Sequence, residues 1–106
     1  MNEPMYALQR ANGEWLTIEI EGTRCLPIFQ NAAAARRVKT RVGALMVYLP
    51  QPLDTAALER LQQRLPGLKF WLVDDFNPSP GLTPGRWLSA EEIVAIGEDG
   101  DYALTA

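Results

Sequence analysis

The dipeptide Asn12-Gly13 constrains this chain more than any other feature of its sequence. Asn-Gly tolerates the positive φ angles of a type I′ turn, whose twist matches that of two antiparallel strands joined by two residues. The segment around it, MYALQRANGEWLTIEIEG, sets strand-forming residues on both sides of the turn, as a two-residue hairpin does. Pairing across the turn sets Ala7 opposite Ile18, Met5 opposite Ile20, Leu8 opposite Thr17 and Arg10 opposite Trp15. One face is then aliphatic, while the other gathers Tyr6, Leu8, Arg10 and Trp15.

A second tight turn follows in EGTR, with Gly22 at the first position of a type II′ loop. That register sets Arg24 against Glu21, Cys25 against Ile20, Pro27 against Ile18 and Phe29 against Leu16. The third strand thus adds Cys25 and Phe29 to the aliphatic face, and the two turns agree on where the core lies. Pro27 has no N–H to give a ladder, so this strand is expected at a sheet edge.

The remainder reads as helices alternating with apolar strands. Asn31 caps a helix over AAAARRVKTRV, in which Ala34, Ala35, Val38 and Val42 form the inward stripe and Gly43 is the stop. ALMVYLP is apolar at nearly every position and is expected to be a strand covered on both faces. Asp54 caps the next helix, with Leu53 and Leu58 as a hydrophobic staple, Leu58, Leu61 and Leu65 as its buried stripe and Pro66-Gly67 as its end. LKFWLV is a second fully apolar strand. Ser89 and Glu92 have the spacing of a capping box, with Leu88 and Ile93 as its staple. A competing pattern makes 93–105 a hairpin about Asp99-Gly100, so 90–106 is either a helix with a tail or a hairpin. The expectation is one α+β domain over 1–106, in two layers. Its N-terminal three-stranded antiparallel meander continues into a mixed sheet of about five strands with two to three helices.

Composition narrows the function. The 106 residues carry a net charge of −3 and contain no histidine and one cysteine. The usual general base and commonest metal ligand are therefore missing, and no metal or cofactor is expected. A lone cysteine makes no internal disulfide, and the N-terminus has neither the basic start nor the apolar stretch of a secretory signal. Those features fit a cytoplasmic protein. No apolar run approaches the roughly 20 residues that span a bilayer. The acidic balance disfavours nucleic acid as a partner.

Within FWLVDDFNPSPGLTPGRW, Asp74 and Asp75 stand at the carboxyl end of an apolar strand, where open α/β sheets bind ligands. Neighbouring strand residues point to opposite faces, so the two carboxylates are not expected to form a dyad. Both read as a solvated strand end entering a turn-rich loop. If the loop instead walls a pocket, Asp74, Asp75, Asn77, Arg86 and Trp87 are its lining. The basic cluster Arg36, Arg37, Lys39 and Arg41 offsets a helix dipole, and Cys25 is a core residue with no histidine to activate it. The Tyr6, Leu8, Arg10, Trp15 face is a candidate interface, because exposed aromatic and arginine clusters are what interface centres look like. Trp15 over Arg10 would equally make a local cation–π pair.

The stretch GTRCLPIFQNAAAARRV, a short Leu-Pro-aromatic strand, a cap and an alanine-rich helix, resembles the start of SseB-like domains and other small bacterial α+β proteins. The resemblance implies a bacterial protein without catalysis and carries no site residues. The expected function is that of a small non-enzymatic protein-interaction or adaptor module, binding a protein partner or itself as a homodimer. The alternative is a small-ligand binder or weak enzyme built on the 74–87 loop.

Overall fold

A computed structural model describes residues 4–77 and 81–94. The chain is α+β, as the pattern of elements implied. The strands are β1 (Tyr6–Arg10), β2 (Ile18–Ile20), β3 (Thr23–Phe29), β4 (Tyr48–Pro52), β5 (Lys69–Val73) and β6 (Gly85–Leu88). The helices are α1 (Ala32–Arg41) and α2 (Thr55–Arg64), with a 3-10 turn at Gly43–Leu45 and a further helical turn at 90–94. The sheet is mixed and runs β4-β1-β3-β5-β6, with β2 also paired to β3. Among the described residues only β3 and β5 pair in parallel.

Helices cover both faces, so the sheet is the middle layer and the expected two-layer arrangement is replaced. Under α1 lie Leu8, Ile20, Cys25, Phe29, Trp71 and Val73, packed on Ala34, Ala35 and Val38. On the opposite face Ala7, Leu26, Ile28, Phe70 and Leu88 pack on Leu53, Leu58, Leu61 and Ile93. The alternation along β3 and β5 explains the division, since successive side chains leave the strand on opposite sides.

Local signals formed as read. Asn31 accepts from the Ala34 N–H at 2.9 Å and Asp54 from the Ala57 N–H at 2.8 Å. Ser89 and Glu92 bond reciprocally, at 3.0 and 3.1 Å, and their staple residues Leu88 and Ile93 are buried. Leu65 departs from its stripe and is 41% exposed, because α2 ends at Arg64 and Leu65 caps it. The hairpin about Asp99-Gly100 lies outside the described residues.

The turns differ from their readings, with unequal consequences. Asn12-Gly13 belongs to a three-residue loop. Gly13 donates to the Arg10 carbonyl (2.9 Å), Arg10 donates to the Glu14 carbonyl (2.8 Å), and Gly13 alone has positive φ, at +92°. This is a type I turn closed by a glycine bulge. Gln9 therefore bridges Trp15, and Leu16 donates to the Leu8 carbonyl. The one-residue slip turns β1 over: Leu8 joins the Cys25 face, and Met5 and Ala7 go to the other. The second loop is Glu21-Gly22, both at positive φ (52° and 78°), and it pairs Ile20 with Thr23 and Ile18 with Cys25. That is a slip of two residues, so Ile18, Ile20, Cys25 and Phe29 keep the common face expected of them.

Glu21 is the one non-glycine residue with positive φ among the described residues. Changing Glu21→Asn, which creates the favoured Asn-Gly pair, should raise stability by about 1 kcal/mol, the order of the left-handed penalty of a bulky side chain. Thermal melting of the variant checks this; an unchanged or lower midpoint would show that the loop carries no strain.

Pro27 lies in a central strand, not an edge. The β1–β3 ladder pairs Tyr6 with Phe29 and Ala7 with Ile28, and its continuation would set Leu8 against Pro27. The Leu8 carbonyl instead takes the Leu16 N–H (2.9 Å). Pro27 thus stands where β1 leaves β3 and β2 takes over, and its missing donor leaves the Leu8 carbonyl satisfied. ALMVYLP is the converse error. It forms a 3-10 turn and the edge strand β4, leaving Met46, Val47 and Leu49 exposed.

Candidate functional site

A cleft of about 310 Å³ opens at the carboxyl ends of the parallel strands β3 and β5, the position where such sheets hold ligands. Gln30, Asp74, Asp75, Phe76, Gly85 and Arg86 line it. Of the five residues expected on a ligand wall, Asp74, Asp75 and Arg86 are brought together here. Asn77 and Trp87 are outside the lining.

The two aspartates separate as strand parity requires. Asp74 is exposed, and its backbone N–H donates to the Pro84 carbonyl (2.9 Å). Its Oδ1 accepts from the Phe76 N–H (3.2 Å), an Asx turn that starts the loop. Asp75 turns the other way, under α1, and is only 4% exposed. The expectation of a solvated strand end fails for Asp75. Its Oδ2 accepts from Arg37 Nε at 3.0 Å and Nη2 at 2.6 Å. Arg37 is half-exposed and its guanidinium also lies 4.9 Å from the centre of the Phe76 ring. The basic cluster thus supplies one structural cation. Sequence reasoning missed this pair because 38 positions separate the residues. The parity of Asp75, with Cys25 and Phe29 on the α1 face, was the available signal.

Chemically the cleft offers a carboxylate, Asp74, and a guanidinium, Arg86, that has no hydrogen-bond or ion-pair partner among the described residues. Asp75 is ion-paired with Arg37 at 2.6 Å. Among the described residues no group of three or more His, Cys, Asp or Glu side chains could hold a metal ion. Cys25 is fully buried, and burial pushes its thiol pKa up, away from the reactive thiolate.

The expected interface residues do not share a surface. Leu8 is fully buried and belongs to the core, a correction that follows from the one-residue slip. Trp15 is half-buried on the α2 face. Tyr6 is half-buried, and Arg10 is exposed, 5.9 Å from the Tyr48 ring centre rather than over Trp15.

The two ends of the sheet differ. At β4, Leu53 donates to the Met5 carbonyl (2.7 Å), so by the alternation of an antiparallel ladder Leu49 and Gln51 turn their backbone toward β1. Tyr48, Pro50 and Pro52 face outward, and the prolines have no N–H. At β6 the Asp74–Pro84 bond fixes the opposite outcome. Arg86 and Leu88 turn toward β5, and the backbone groups of Gly85 and Trp87 point away from the sheet. Gly85 must be glycine for β6 to sit here: a Cβ would overlap the Leu72 carbonyl and come 2.7 Å from Trp71 Nε1. Trp87 is 38% exposed and meets Trp71 edge-on at 4.9 Å.

No helix among the described residues is long and apolar enough to cross a membrane. Comparison of the chain with family models, with curated proteins and with solved structures finds no match, so the resemblance of residues 22–38 to SseB-like domains gains no support and the site rests on its own geometry.

Proposed function

We propose that this chain is a small non-enzymatic interaction module that pairs with a second copy of itself through β6. The difference between the sheet edges carries the reading. Two outward prolines prevent β4 from extending the sheet, a common protection of edge strands. The β6 edge offers Gly85 and Trp87 backbone groups and an exposed indole, with no further strand among the described residues. An antiparallel edge is self-complementary about a two-fold axis. With the axis at Trp87, the two indoles meet, and Arg86 falls opposite the second copy's Leu88 rather than its arginine, which avoids a like-charge pair. Main-chain bonds then supply affinity, as in other strand-addition contacts.

Sedimentation equilibrium tests the reading. The wild type is expected to be a dimer and Trp87→Lys a monomer with unchanged circular dichroism. Leu49→Lys, at the proline-bearing edge, is expected to remain a dimer. A monomeric wild type at high concentration, or dissociation by Leu49→Lys instead, would overturn it.

A further inference from the structure

We infer that the cleft between β4 and α2 binds a small planar anion, an aromatic ring bearing a carboxylate or phosphate group. This cleft measures about 310 Å³ and lies away from the β6 edge, with Trp15, Gln51, Ala57, Arg60 and Arg64 in its wall. Strand parity puts Trp15 here: Leu16 packs on the α1 side, so the indole of Trp15, bridged to Gln9, lies on the α2 face, half-buried against the Leu58 and Leu61 cluster. It is an apolar ring surface with an open side, the usual platform for a flat ligand.

The charge beside it is mainly positive, with Arg60 and Arg64 against the single carboxylate of Asp54 in the wall. Arg60 and Arg64 are one helical turn apart and therefore neighbours on the surface of α2. Neither has a hydrogen-bond or ion-pair partner among the described residues. Asp54 caps α2, its Oδ1 accepting from the Ala57 N–H at 2.8 Å. The Gln9 amide is likewise committed, donating to the Gly13 carbonyl at 2.9 Å. Glu59, the acidic residue within α2, lies outside this wall, in a separate cleft with Glu91. Two guanidiniums beside one indole offer a forked grip on an oxyanion and a stacking surface for the ring that carries it.

The test is titration of isotope-labelled protein by NMR with benzoate, phenyl phosphate and, as neutral control, benzyl alcohol. The Trp15 indole N–H, assigned with Trp15→Phe, is expected to shift saturably with at least one anion, and the tighter anion names the head group. Arg60→Gln/Arg64→Gln should raise that dissociation constant at least about tenfold with an unchanged melting temperature, the loss of two charge-assisted contacts. Absence of saturable shifts with both anions would overturn the inference. So would equal affinity in the double variant, or benzyl alcohol shifting the same resonances as strongly as the anions. These outcomes are independent of the β6 dimer, which is read by sedimentation.

Discussion

Leu8→Ala should lower the unfolding free energy by about 3–4 kcal/mol, in the upper part of the range for a buried leucine. Leu8 is fully buried between the sheet and α1, among Cys25, Phe29, Ala34, Ala35 and Val38. The walls of the hole left behind are helix backbone and a central strand, neither free to collapse inward, so the cavity term adds to the lost transfer energy. Denaturant titration gives the number. On the face that the Asn12-Gly13 hairpin first implied, the same substitution would be a surface change worth about 0.5 kcal/mol or less. A cost that small would return Leu8 to the exterior and with it the discarded register.

Arg37→Ala should cost about 3 kcal/mol, the low end for breaking a buried ion pair, because it leaves the Asp75 carboxylate buried without its counter-charge. Arg37 is itself half-exposed, so Asp75→Asn, which leaves the guanidinium free to hydrate, should cost clearly less. This inequality follows from burial and not from the pair's attraction, which both substitutions remove. Arg37→Lys should recover part of the loss, since an ammonium keeps the charge but cannot place two nitrogens on Oδ2 while lying over Phe76. A double-mutant cycle with Arg37→Ala and Asp75→Ala measures the coupling. Equal costs for the two single substitutions would mean that Asp75 is better hydrated than its 4% exposure implies.

The sequence by itself determined the features whose causes lie within a few residues. The caps at Asn31, Asp54 and Ser89 need only a side-chain oxygen within reach of an N–H three positions on, and all three formed. The α+β class followed from the order of apolar runs and caps. The common face of Ile18, Ile20, Cys25 and Phe29 survived a wrong turn type because the slip was two residues, the period of a strand. Tertiary structure decided the rest. A glycine bulge adds one residue to the first loop, and one residue inverts a strand, so Leu8 changed sides while Trp15 kept the face opposite Ile18 and Ile20. ALMVYLP is as apolar as LKFWLV, yet one segment is an edge and the other is interior, because strand order is set by long-range pairing and not by composition. Asp75 reads like Asp74 in the chain; only the packing of α1 on the sheet brings Arg37 to it and makes its burial tolerable.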